Sequence, residues 1–214
     1  MTGMPDYLSD PDEIYRRSFA IVRAEADLDR FEDDDAEVAV RMIHACGQVE
    51  IAENLIFSAN ASEAGIAALQ AGRPVFCDAG MVATGIIGNR LYGENAVICA
   101  LDAPGVAAAA KKGRTTRSAA AVDLWDERLG GAIAVIGNAP TALFRLLERL
   151  DNGAPKPALI VGLPVGFVGA AESKAELIAD SREVPYITLV GRMGGSAMAA
   201  AAVNALAGLA WPRQ

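Results

Sequence analysis

Short aliphatic and β-branched runs alternate along the chain with longer stretches whose apolar positions recur at helical spacing. The runs at 74–77, 96–101, 132–136, 158–163 and 186–190 read as strands buried on both faces. Helical periodicity covers 115–129, 141–150, 170–179 and 195–209. Further helices precede the first run. One spans 14–24 with Ile14, Phe19, Ile21 and Val22 at its apolar positions, another ends near His44, and Asn60 with Glu63 forms a capping pair for a third that continues through Leu69. This order predicts an α/β fold: a doubly wound, mainly parallel sheet with helices on both faces and a helical N-terminal arm.

No linker-like composition interrupts the chain, and 152–157 is short enough for an ordinary helix-to-strand connection. Residues 1–214 are therefore expected to form a single domain. With 52% hydrophobic residues such a chain can bury roughly 70% of its unfolded surface. Ligands on sheets of this kind sit beyond the carboxyl ends of the strands, which singles out the loops 78–81, 102–105, 137–141, 164–169 and 191–196.

Several of these loops are glycine-rich, yet Gly162, Gly166 and Gly169 give GxxxGxxG rather than GxGxxG, and no loop ends in Gly-Lys-Ser/Thr. Nucleotide binding fails on spacing. What remains is the capacity of exposed amides at helix N-termini to take carboxylates or phosphates, and Pro140 at a first helical position, with Asn138 or Ala139 before it, fits such a site. The plainer use of these loops is as tight turns closing βα units.

A net charge of -8 argues against nucleic acid, whose phosphates demand clustered cations. The first seven residues lack the basic stretch and apolar run of a secretory signal, so a cytoplasmic protein is expected. The apolar stretches 159–171 and 198–211 are too interrupted, by Pro164 and glycines or by Asn204, to span a bilayer. Cys46, Cys77 and Cys99 lie apart in apolar runs and read as reduced, buried thiols. No CxxC or His-Cys cluster suggests zinc, and no resident metal or cofactor is expected.

His44 is the only histidine. It closes an amphipathic helix, where carbonyl dipoles favour a cation by about 0.3–1 kcal/mol, and imidazole titrates near neutral pH, so the position suits a proton donor. A hydrogen-bonded packing role is the plainer alternative. The run Lys111-Lys112-Gly113-Arg114-Thr115-Thr116-Arg117-Ser118 reverses the local charge. At the start of a helix over 115–129 it would oppose the macrodipole, a conflict that an anionic ligand would relieve, although a solvated face is the usual meaning of such a run. Arg16 and Arg17 have a comparable plain use, pairing with Asp12 and Glu13 on the surface. There is no GxSxG elbow, no Ser-His-Asp order and no metal-ligand cluster.

Five stretches in order carry a resemblance over essentially the whole chain: residues 14–19 (IYRRSF), 41–47 (RMIHACG), 116–120 (TRSAA), 137–143 (GNAPTAL) and 163–174 (LPVGFVGAAESK). Together they resemble the precorrin-8X methylmutases of cobalamin (vitamin B12) biosynthesis. The resemblance implies a homodimeric α/β isomerase that needs no cofactor and moves a methyl group from C11 to C12 of precorrin-8X, yielding hydrogenobyrinic acid. It implies His44 as general acid. It also implies a carboxylate-binding rim in which Arg16, Arg17, Ser18, Thr84, Arg117, Asn138, Gly166 and Arg192 are candidate substrate contacts, with Arg114 a further cation and Ser18 able to orient His44 or a carboxylate.

The 44–47 sequence His-Ala-Cys-Gly looks more like the metal-free, aerobic branch than the branch acting on cobalt-precorrin-8. Cobalt, if present, would belong to the substrate. A non-catalytic tetrapyrrole carrier would use the same rim with His44 merely packed, while an unrelated transferase would need a cofactor motif that the sequence lacks.

Overall fold

The computed structural model describes residues 7–91 and 95–211. Residues 1–6, most of the stretch read for leader features, lie outside the described residues. The centre is a six-stranded sheet in the order β1-β6-β5-β4-β2-β3. Its strands are β1 (Leu55–Phe57), β2 (Val75–Cys77), β3 (Val97–Cys99), β4 (Ile133–Ile136), β5 (Leu159–Gly162) and β6 (Tyr186–Leu189). Strands β2 to β6 are parallel and each falls inside one of the predicted runs. The unpredicted β1 is three residues long and antiparallel to β6, with Leu55 opposite Leu189. So short a run carries little periodicity.

Nine helices are described: α1 (Pro11–Glu25), α2 (Asp33–Cys46), α3 (Ala61–Gln70), α4 (Gly80–Gly85), α5 (Val106–Gly113), α6 (Arg117–Val122), α7 (Pro140–Asp151), α8 (Ala170–Ala179) and α9 (Ser196–Ala210). Helices α2, α3, α4 and α9 share the core on one face of the sheet. On the other face α7 lays Leu143, Leu146, Leu147 and Leu150 onto the strands, and Trp125 stacks on Phe76 at 5.4 Å between ring centres. The doubly wound arrangement follows from strands that are apolar on both sides and must be covered twice.

The alanine-rich α9 is buried along most of its length and packs on α2, α3 and α4. A Cβ on Gly85 would stand 2.8 Å from Ala200 Cβ, so small residues on both sides let these backbones approach. Intramolecular packing therefore accounts for the alanine-rich composition of this helix.

Three local expectations are corrected. The 115–129 stretch is not one helix: α6 ends at Val122, and a separate 3-10 turn, Glu127–Leu129, follows after Trp125 has entered the core. Lys111 and Lys112 lie in the last turn of α5, where the macrodipole favours them, so the conflict read from the charge run is confined to Arg117 at the start of α6. Asn60 does stand at the start of α3, but with φ 61° and no side-chain cap bond, so the Asn60–Glu63 capping pair does not form.

Helix α2 carries acids in its first turn and His44 in its last, matching the dipole at both ends. Gly47 ends it in the left-handed conformation, φ 69°, which a side chain would resist. A 3-10 turn, Val49–Asn54, then leads into β1, and Val190 N–H donates to Asn54 O at 2.9 Å just past the carboxyl end of β6. The His44 end of α2 thus lies on the side of the sheet where the parallel strands terminate.

Candidate functional site

The arm helix α1 meets α2 at His44. Ser18 Oγ lies 2.8 Å from His44 Nδ1, within hydrogen-bond distance. The Phe19 ring meets the imidazole edge-on at 5.1 Å, and Tyr15 flanks it at 5.8 Å. Arg41, one turn earlier on α2, places its guanidinium 5.5 Å from the Tyr15 ring centre and 5.4 Å from that of Phe19. Burial pushes the Arg41 guanidinium below its ordinary pKa. Val22 is the one buried residue of α1, and Arg23 adds a two-pronged contact to Glu37 at 2.7 Å. His44 itself stays exposed, so its ring is held from one side and open on the other.

At the end of β2 the fully buried Asp78 accepts three main-chain N–H groups: Gly137 at 2.9 Å, Asn138 at 3.1 Å and Ala139 at 2.7 Å. Burial raises its pKa, against the lowering effect of those amides. The β4–α7 loop is therefore shaped by an internal carboxylate, and these amides are not open to a ligand as the sequence reading allowed. The exposed Asn138 side chain remains at this edge.

The two neighbouring loops, 163–169 and 190–195, are joined. Gly195 N–H donates to Leu163 O at 2.8 Å and Gly166 N–H to Arg192 O at 3.2 Å. Gly194 is pressed against the other loop so closely that a Cβ would stand 2.4 Å from Leu163 O. Below them the fully buried Lys174 of α8 donates to Met193 O. Burial brings its pKa down to about 8.

The remaining sequence-predicted residues divide. Thr84 is exposed on α4, which follows β2 at this edge. Arg192 lies over the Phe167 ring at 5.2 Å. Arg117 pairs with Asp102, just past β3, at 3.2 Å, with both side chains largely exposed. Arg114, at φ 51°, ends α5 and is exposed. Arg16 forms an ion pair with Glu13, the plainer use named for it, and Arg17 is exposed on the same helix. Met81, Phe167 and Val168 are 76%, 86% and 89% exposed, giving this edge an apolar fringe among its cations.

Four residues described above went unassigned from sequence: Asp78, Lys174, Tyr15 and Arg41. For Lys174 a signal existed, since Ala170, Lys174 and Leu177 recur at helical spacing and put an ammonium on the inward face. Cys77 is buried while Cys46 and Cys99 are half-buried, and all three are free thiols. A cavity of about 850 Å3 opens at the opposite edge of the sheet, beside Phe31, Asp35, Phe57 and Ser62, and holds none of the candidate residues. Among the described residues no group of three or more His, Cys, Asp or Glu is placed to hold a metal ion, and no helix is long and apolar enough to cross a membrane.

The sequence profile of the family described as precorrin-8X methylmutase matches residues 13–209. The chain belongs to that family. It is 59% identical over 204 residues to a precorrin-8X methylmutase of Pseudomonas aeruginosa, covering 95% of this chain and 98% of the relative. A precorrin-8X methylmutase of Sinorhizobium sp is 57% identical, covering 94% and 96%. A cobalt-precorrin-8 methylmutase of Priestia megaterium is 38% identical, covering 94% and 88%. The crystal structure of a precorrin-8X methylmutase from Thermus thermophilus superposes with a TM-score of 0.83 at 41% identity, covering 92% of this chain and 96% of that one. Family membership makes the chain an isomerase of tetrapyrrole metabolism.

Proposed function

We propose that residues 1–214 act as one catalytic domain converting precorrin-8X to hydrogenobyrinic acid, with His44 as general acid. The observation that carries the acid assignment is the contact of 2.8 Å between Ser18 Oγ and His44 Nδ1 beside an otherwise exposed ring. In the imidazolium, Nδ1–H donates to Ser18 Oγ and Nε2–H is left for the substrate. Protonation of the conjugated macrocycle makes it more electrophilic, which lowers the barrier to migration of the C11 methyl to C12. The proton is lent and returned, so composition is conserved. General acid catalysis of this kind contributes about 10² to 10⁴-fold, and holding the flexible precursor in its reactive shape supplies much of the remainder.

The substrate carries acetate and propionate groups around an apolar ring. The carboxyl edge combines exposed apolar side chains with Arg117 and Arg192, a complementary pairing of slot and rim, and Arg114, Arg16 and Arg17 are proposed as further cations of that rim. Ser18, Thr84, Asn138 and Gly166 are proposed as neutral contacts. The high identity to two precorrin-8X enzymes supports the metal-free substrate over its cobalt form. A cytoplasmic homodimer is part of the same reading, supported by the family resemblance. Sedimentation over a wide concentration range tests it; a persistent single-chain species contradicts the dimer.

Mixing the protein with precorrin-8X and following absorbance tests the reading. Isomerisation replaces the spectrum of the precursor with that of the corrin, whereas a passive carrier only perturbs the starting spectrum.

A further inference from the structure

A buried ammonium is costly unless it is paired, and replacing such a group by a well-packed apolar side chain is often neutral or stabilising. Lys174 is fully buried on the inward face of α8, yet no ion pair joins it to a carboxylate among the described residues. Its hydrogen bond goes to the main-chain oxygen of Met193. That carbonyl occupies a special place: Arg192 O on one side of it receives Gly166 N–H, and Gly195 N–H on the other side donates to Leu163 O. Met193 is thus the midpoint of the seam joining the two loops. Gly194, wedged against Leu163 O and Pro164 O, leaves the seam little room to readjust.

We propose that Lys174 is a positioning residue that pins the Met193 carbonyl from below and keeps the 163–169 and 190–195 loops joined in the shape that receives the anionic ligand. The inference rests on the function proposed above for the ligand's identity, and on the geometry alone for the pin. Without the ammonium, Met193 O loses its partner and turns toward water, parting the bonds on either side. Arg192 and Phe167, which stack across the seam, then lose their common support.

The test uses the full chain, the variants Lys174→Met and Lys174→Gln, amide hydrogen exchange, and titration with hydrogenobyrinic acid at a temperature where each variant is fully folded. Lys174→Met is expected to speed exchange at Gly166 and Gly195 by about tenfold while leaving the β5 and β6 amides unchanged, and to weaken ligand binding by about tenfold, the effect of one lost charged hydrogen bond. Lys174→Gln retains an N–H donor and is expected to recover part of both. If Lys174→Met does not fold, Lys174→Gln is read against wild type, with a smaller rise in exchange expected at the same two glycines and a smaller loss of affinity. Unchanged exchange at the two glycines overturns the pin, and faster exchange with unchanged affinity overturns its role in binding. If the wild-type protein itself fails to bind hydrogenobyrinic acid, the proposed function fails and the binding role with it, while the exchange measurements still decide whether Lys174 holds the seam.

Discussion

Ser18 Oγ stands 2.8 Å from His44 Nδ1, so the seating of α1 on α2 determines which ring nitrogen remains for chemistry. The arm is thereby part of the site. Replacing His44 by Ala should leave ligand affinity within a few-fold and lower the single-turnover rate by about 10² to 10⁴-fold. Ser18→Ala should lower the same rate by about tenfold, the worth of one orienting hydrogen bond. Both quantities are measured in one preparation, and a near-normal rate in His44→Ala removes it as the acid.

Asp78 is the internal counterpart of a bound anion. Its two oxygens serve three amides, and a carboxamide in its place would turn an NH2 group toward at least one of them. Asp78→Asn should therefore destabilise the fold by about 1–3 kcal/mol, read from denaturant unfolding. An unchanged midpoint would mean that the β4–α7 loop holds its shape without this carboxylate.

Lys174 should also mark the pH dependence of stability. Its pKa in the folded protein, about 8, lies below the ordinary 10.5, so between these values the unfolded chain binds more protons than the folded one. Its contribution to stability therefore rises as pH increases through that window and is smallest below it, where both states carry the ammonium. Burial raises the thiol pKa of Cys46, Cys77 and Cys99 and has the opposite effect in the same range. The difference between wild type and Lys174→Met isolates the lysine. That difference should shift in favour of wild type from pH 8 toward 10.5; a flat difference contradicts it.

Arg117 already has a partner, Asp102, at 3.2 Å, and both are exposed, so the pair is of little value to stability. Its planar fork is better suited to a carboxylate of the ligand than an ammonium would be. Arg117→Lys should weaken binding by more than Arg114→Lys, and Asp102→Asn, which frees Arg117, should not weaken it. Dissociation constants at two salt concentrations decide this, and equal, negligible effects at both arginines assign them to solvent.

Much of this architecture is legible in the sequence because strands buried on both faces read as unbroken apolar runs, and α8 is legible at both of its ends, Ala170 and Ala179. Strand β1 escapes because three residues have no period. The break after Val122 escapes because the apolar spacing continues through Trp125 and Leu129, whose side chains enter the core from a turn rather than a helix. At the site, His44 and Ser18 are legible as types of residue, but their contact spans 26 positions and depends on how α1 docks. Asp78 is similar. Nothing local says that its partners lie 59 to 61 residues away.

Methyl migration within one molecule leaves a mark that neither a carrier nor a methyl transferase can leave, and isotope placement reads it. Precorrin-8X labelled at its C11 methyl is incubated with purified, chelator-treated protein, without S-adenosylmethionine, nucleotide or added metal. The expected product has unchanged mass and carries the label at C12, seen by mass spectrometry and NMR. A strict need for an added methyl donor, or a product heavier by one methylene, would contradict the migration.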